Sequence, residues 1–358
     1  MGHLDMSSLT SDNRSLICAV IGAGAWGTTL ALLLGRQGCQ VRLWARRPEM
    51  VRQIQQTGEN QRYLPDIQLP DSVAAHHSLG ATLEGTDAVV IAVPSVGLRQ
   101  VAAQMTAYLP DQALVICATK GMERGSGKRM SQVLAEELPA CHARSLLALS
   151  GPNLSREIAD GLPAVSVVAG TDLAAAEKAQ ALLSSDLFRV YTNCDIIGVE
   201  LGGALKNVIA VGAGISDGLG YGDNAKASLI TRGLAEICRF SRALGALPET
   251  LWGIAGVGDL IATCDSKLSR NWTLGYRVGQ GEPVGDVLAS MHDVAEGYYT
   301  THAARQKAGE VSVETPIIQA VAEILYEQGA PAEVARRLMV RRHRNEHEDW
   351  HGGVAGNT

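Results

Sequence analysis

Three glycines, Gly22, Gly24 and Gly27, stand in GxGxxG spacing between an apolar run at residues 16–21 and an apolar stretch at 28–37. Few chain geometries use that arrangement. The first glycine permits a sharp strand-to-helix turn, the second lets backbone approach a pyrophosphate, and the third lets helix lie on strand. Backbone amides at the helix start and the helix dipole then favour phosphate charge. The same spacing also occurs in glycine-rich turns of unrelated α/β domains, so the surrounding elements must decide. Residues 16–35 carry no charge over a length that would span a bilayer, but the glycines divide them into strand and helix.

Further apolar runs at 40–44, 88–93, 113–118, 145–149, 164–169 and 188–191 read as strands, alternating with helix-like stretches at 28–37, 48–56, 96–109, 128–137 and 173–183. This alternation predicts a parallel sheet with crossover helices. Several runs are apolar without alternation, as expected of strands covered on both faces. Beyond residue 193 the strand signal stops and helical segments follow at 198–215, 225–244, 248–264, 284–290, 299–308, 314–327 and 332–342. The expected architecture is an α/β dinucleotide-binding domain over 15–193 and an all-α domain over 194–342. A polar N-terminal extension over 1–14, expected to be disordered and unlike a signal peptide, and a polar tail over 343–358 flank them. His343, His347 and His351 in the tail share helical spacing, but among Arg, Asn, Glu and Asp they read as a solvated face, and no metal is expected.

A chain of 358 residues with net charge −6 and 4% aromatic residues offers neither the charge nor the stacking platforms of a nucleic-acid surface. Seven scattered cysteines without CxxC pairing suggest no disulfide framework or zinc ribbon, and fit a reducing cytoplasm.

The second strand run ends in Trp44, Ala45, Arg46 and Arg47, where a site tuned for NAD would carry a carboxylate for the ribose hydroxyls. Two arginines suit a ribose 2′-phosphate, which points to tolerance of, or preference for, NADP. Lys120 and Gly121 leave the carboxyl edge of the sheet, where open α/β folds bind ligands, and Lys120 reads as a substrate clamp. The turn Ser150, Gly151, Pro152, Asn153 leaves the next strand similarly and reads as a ligand contact or a plain structural turn.

In the helical half, Lys206 is the only charged residue between Glu200 and Asp217. Burial disfavours its ammonium form and brings proton transfer within reach, although a buried lysine can equally join a structural ion pair. Gly202 and Gly203 on its face leave room for a flat ring to approach. Asp259, in the apolar segment GIAGVGDLIATC, calls for a nearby cation, which Lys206 or Lys120 would supply. Ser269, Arg270 and Asn271 together offer a hydroxyl, a planar cation and an amide to phosphate oxygens.

The segments IGAGAWGTTLA, ATKGME, LSGPN, GVELGGALKNVIAVGAGISDGLG, NAKASLITRGLAE, GVGDLIATC, SRN and EGYYT, in this order, resemble bacterial NAD(P)-dependent glycerol-3-phosphate dehydrogenases from about residue 16 to 342. The resemblance implies a Rossmann-like domain followed by a helical one, with NAD or NADP as cofactor. It implies dihydroxyacetone phosphate and sn-glycerol 3-phosphate as substrate pair, a cytoplasmic homodimer and a supply of sn-glycerol 3-phosphate for phospholipid synthesis. It assigns proton transfer to Lys206, contacts to both cofactor and substrate to Lys120, and further substrate contacts to Gly151, Asn153, Asn207, Asp259, Ser269, Arg270 and Asn271. The cofactor positions it implies, beside the glycine turn, are Ala25, Trp26, Arg46, Ser155, Arg270, Val294 and Glu296. Asn153 and Ser155 depart from the usual pattern of Ser or Thr followed by Ala. Two rivals share the nucleotide turn: another two-domain reductase such as a hydroxyacid or ketopantoate reductase, and a non-catalytic dinucleotide sensor, which would need neither Lys206 nor Asp259.

Overall fold

The computed structural model describes residues 15–142, 145–291, 294–342 and 345–346, so the expected disordered extension and the three tail histidines lie outside the described residues. The described chain forms two compact units, one built from residues up to Lys120 and from Met130–Ile196, the other from Gly121–Arg129 and everything after Ile196. The nine residues 121–129, expected within the first domain, therefore group with the helical unit.

The first unit holds strands β1 (Ile17–Ile21), β2 (Gln40–Trp44), β3 (Glu59–Asn60), β4 (Leu64–Gln68) and β5 (Val73–His76). Then follow β6 (Ala88–Ile91), β7 (Leu114–Cys117), β8 (Leu147–Ser150), β9 (Ala164–Ala169) and β10 (Phe188–Asn193). Eight of them make one sheet in the order β10-β9-β8-β7-β6-β1-β2-β5, and β3 and β4 pair separately as an antiparallel ribbon. The chain builds outward from β1 through β2 to β5 and then returns to β6 on the other side of β1. The gap between β1 and β6 is thus the point where strand order reverses, which is where ligands bind in such sheets.

Side chains of β1 alternate between faces, and both faces are buried. Cys18 and Val20 join a core with Leu30 and Leu34, while Ala19 and Ile21 join another with Leu98 and Met105. Double coverage explains why the strand runs lack polar alternation. The sheet is parallel from β5 to β8, but β9 runs antiparallel to β8. The connection after β8 contains only the short helix Ser155–Ala159, which packs back on helix Ala25–Arg36, where Thr29 Oγ1 donates to Ser155 O at 3.2 Å, instead of crossing the sheet.

The second unit is organised around helix Ile196–Gly218, whose residues 198 to 216 are all buried. It is the one described helix long and apolar enough to cross a membrane, and 83% of its apolar window is buried inside the protein. Helix Arg270–Gly279, absent from the sequence expectation, lies flush against it. A Cβ on Gly214 would sit 2.1 Å from Trp272 O, and one on Gly275 2.0 Å from Val211 O. Backbone meets backbone there, and only glycine permits it. The single helix expected over 248–264 is instead broken into Pro248–Leu251, a π-turn Ile254–Gly258 and Asp259–Asp265. The reason is local, since a Cβ at Gly256 would lie 2.0 Å from Leu251 O.

Candidate active site

The glycine turn sits at the strand-order reversal, with Gly22 N donating to Trp44 O at 3.1 Å and Ala92 N to Ile21 O at 2.8 Å. Gly22 has φ +117° and its Cβ would lie 2.6 Å from Ala92 O, while a Cβ on Gly27 would lie 1.8 Å from Gly22 O. Gly24 differs, because nothing lies within 4 Å of the place its Cβ would take. Helix Ala25–Arg36 starts at Gly24 with no side-chain cap and no acidic residue in its first turn. Its leading N–H groups therefore face open space with the positive end of the dipole behind them. Trp26, which packs on Phe188 with ring centroids 6.4 Å apart, also carries a buried Nε1 donor with no partner among the described residues. Open ground at Gly24, an uncapped helix and an orphan donor together fit the pyrophosphate of a dinucleotide.

At the end of β2, Arg46 is exposed and Arg47 precedes helix Pro48–Thr57, and neither guanidinium has a hydrogen bond or ion pair with the described residues. Both remain available to an anion. Along the same sheet edge, Lys120 Nζ donates to Gly151 O at 2.8 Å, across the ends of the neighbouring strands β7 and β8. Asn153 Nδ2 donates to Ser166 Oγ at 3.2 Å, and that hydroxyl donates to Ser150 O at 2.9 Å. Asn153 is thereby tied to β9, with its Oδ1 buried and without a hydrogen-bond partner among the described residues. Ser155 is held through its backbone carbonyl, the acceptor from Thr29 Oγ1, and not through its hydroxyl.

In the helical unit Lys206 is 6% exposed and donates to Asp259 Oδ1 and to Thr263 Oγ1, while Asp259 is 1% exposed. Lys206 is thus a cation against Asp259, as the sequence required. Each side chain is thereby the counter-charge of the other in apolar surroundings. Thr263 Oγ1 in turn donates to Asp259 O at 2.6 Å, one turn back on helix Asp259–Asp265. Sequence reasoning passed over Thr263, whose only signal is its i,i+4 spacing from Asp259. The space at Gly202 does not admit a flat ring, because a Cβ there would lie 2.6 Å from Ala255 O. That glycine instead lets the π-turn approach and bring Asp259 to Lys206. The neighbouring thiol is no rival nucleophile, since burial pushes Cys264 up to about 12.

Ser269, Arg270 and Asn271 form the start of helix Arg270–Gly279, with Ser269 as N-cap accepting from Trp272 N at 3.2 Å. A helix start carrying an arginine is a favourable seat for phosphate. Asn271 is also a bracket, since its Nδ2 donates to Asn207 Oδ1 at 2.9 Å and its Oδ1 accepts from Gly297 N at 2.8 Å. It thereby fixes Asn207 and the beginning of helix Glu296–Glu310, with Glu296 at its first position and Val294 just before it.

Two family models cover most of the chain: the N-terminal domain of NAD-dependent glycerol-3-phosphate dehydrogenase over residues 17–176 and its C-terminal domain over 195–336. The glycerol-3-phosphate dehydrogenase [NAD(P)+] of Geobacillus kaustophilus (strain HTA426) is 47% identical over 92% of this chain and 96% of its own length. That of Enterococcus faecalis (strain ATCC 700802 / V583) is 43% identical over 92% and 97%. Among solved structures, glycerol-3-phosphate dehydrogenase from Coxiella burnetii superposes with a TM-score of 0.88 at 36% identity, covering 91% of this chain and 99% of that one. With both domain models matched in order and relatives this similar over their full lengths, the chain belongs to the NAD-dependent glycerol-3-phosphate dehydrogenase family.

Proposed function

We propose that this protein is an NAD(P)-dependent sn-glycerol-3-phosphate dehydrogenase that interconverts dihydroxyacetone phosphate and sn-glycerol 3-phosphate. The observation that carries the chemistry is the buried Lys206–Asp259–Thr263 cluster, a charged group held in apolar surroundings where a structural helix would need none. The reduced nicotinamide, when bound, supplies hydride to the C2 carbonyl carbon. Lys206 donates a proton from Nζ to the oxygen that becomes negative, and is afterwards reprotonated from solvent. Asp259 and Thr263 hold Nζ in one place, so that little reorganisation accompanies proton transfer. Arg270, Ser269 and the amides behind them bind the substrate phosphate, whose binding energy orients the distant carbonyl. Lys120 polarises and steadies the substrate, with Gly151, Asn153 and Asn207 as further contacts. Ala25, Trp26, Ser155, Arg270, Val294 and Glu296 are the cofactor contacts beside the glycine turn.

Arg46 and Arg47, with no hydrogen bond or ion pair among the described residues, favour tolerance of, or preference for, NADPH over a strict demand for NADH. The same reading makes the enzyme a cytoplasmic homodimer that supplies sn-glycerol 3-phosphate for phospholipid synthesis. Seven free thiols, none in a disulfide, support a reducing compartment. The deciding assay follows loss of reduced-nicotinamide absorbance with dihydroxyacetone phosphate, using NADH and NADPH side by side. Turnover of this substrate but not of ketopantoate is expected, and Arg46→Ala with Arg47→Ala should raise KM for NADPH more than for NADH. Absence of turnover with dihydroxyacetone phosphate sinks the assignment.

A further inference from the structure

Asn60 is far in sequence from the glycine turn and is 0% exposed, a costly place for a primary amide unless every polar atom is used. All of them are. Its Nδ2 donates to Ala23 O at 2.9 Å and to Thr28 Oγ1 at 2.7 Å, and its Oδ1 accepts from Tyr63 N at 3.3 Å. Ala23 and Thr28 bracket Gly24, the position with open ground before it, and Thr28 N closes the first helical turn on Gly24 O at 2.9 Å. Rotating the amide by half a turn would set Oδ1 against the Ala23 carbonyl, so only one orientation is allowed.

A glycine-rich turn is intrinsically loose, because its backbone has many alternatives to the one that receives a ligand. Holding it in the receptive shape before the ligand arrives reduces the ordering cost of binding. The ribbon of β3 and β4 contributes no strand to the large sheet, yet it delivers this one amide to both ends of the turn. We propose that Asn60 is a positioning residue for the dinucleotide site, fixing the Ala23–Thr28 turn so that its free amides meet the cofactor pyrophosphate. This rests on reading the turn as the NAD(P) site.

The test is calorimetric titration of the intact protein with ADP-ribose, which carries the pyrophosphate without the reacting ring, alongside steady-state kinetics. Asn60→Ala should weaken ADP-ribose binding by about tenfold, the effect of stranding one or two buried hydrogen-bonding groups, and raise KM for NADH in parallel. The kcat and the KM for dihydroxyacetone phosphate at saturating cofactor should stay as in the unmutated enzyme. Ile318→Ala, at a buried position in the other compact unit, should lower thermal stability without moving the ADP-ribose affinity, which separates positioning from general support. Thr28→Val keeps the shape and removes one acceptor, so it should weaken ADP-ribose binding by about threefold. If Asn60→Ala does not fold, Thr28→Val decides. An affinity within about twofold of the unmutated value in the folded Asn60→Ala protein, or in Thr28→Val when the former is unfolded, overturns the proposal. Failure of the unmutated protein to bind ADP-ribose overturns the reading of the turn instead.

Discussion

The two units build their parts of the chemistry from different materials. Around Gly22–Thr28 the receptive surface is main chain, with uncapped amides and a vacant side-chain position at Gly24. Around Lys206 it is side chain, with a lysine and an aspartate buried together and a hydroxyl bridging them. A surface made of backbone is harmed by adding atoms, because its function is to leave room. A buried ionic cluster is harmed by removing a partner, because the group left behind has neither water nor counter-charge.

The largest expected effect lies in the helical unit. Lys206→Met keeps the volume and removes the proton, so kcat should fall by about 10²- to 10⁴-fold. ADP-ribose affinity should remain unchanged. Chemical denaturation of the same variant should show lost stability of about 3–5 kcal/mol, because the buried Asp259 carboxylate loses the ammonium that Lys206 holds against it. Near-normal kcat would remove Lys206 from the mechanism.

Next in size is a pH effect at Glu236, which is 1% exposed and accepts from Ile317 N and Ile318 N at 2.9 and 2.8 Å, capping helix Pro316–Tyr326 from a neighbouring helix. Burial pushes its carboxyl up from 4.5 to about 7, against the two amide hydrogen bonds that favour the charged form. The folded state therefore holds this proton more tightly than the unfolded state. Its stabilising contribution is complete below pH 4.5 and is lost as pH rises toward about 7. The loss amounts to about 3 kcal/mol. Urea denaturation across that range should show this decline in the unmutated protein and a flatter profile in Glu236→Gln; equal slopes would assign the decline elsewhere.

The smallest effect belongs to the backbone cradle. Gly24 has φ −74°, and its Cβ would meet nothing, so Gly24→Ala should leave the melting temperature unchanged. The added methyl stands where the pyrophosphate approaches, and ADP-ribose affinity should drop by about tenfold. Unchanged affinity would mean that the ligand takes another path past the helix start, and the contrast between the two units would lose its sharpest instance.

Much of this could be read from the chain itself, because the glycine turn, the strand runs and the isolated Lys206 each break an otherwise regular pattern. Asp259 needed a cation, and Lys206 stands against it. What escaped was whatever depends on contact between segments remote in sequence. Thr263 is one more hydroxyl on a helix until Lys206 lies against it. Asn60 sits in a two-residue strand too short to register as an element. Helix Arg270–Gly279 hides because its glycines interrupt the periodicity, and those glycines are there for the helix opposite. The break at the π-turn escaped for a different reason: it is a local backbone fit of Gly256 on Leu251 that hydrophobic periodicity does not record.

Helix Ile196–Gly218 has the length and hydropathy of a bilayer span, and although Arg129 pairs with its Glu200, Ala255, Thr263, Trp272, Gly275 and Gly297, which also press on it, come later in the chain. During synthesis this segment must leave the ribosome long before its covering exists. For that interval it is a largely uncovered oily helix, open to chaperones and to membrane-insertion machinery alike, until about the next hundred residues are made.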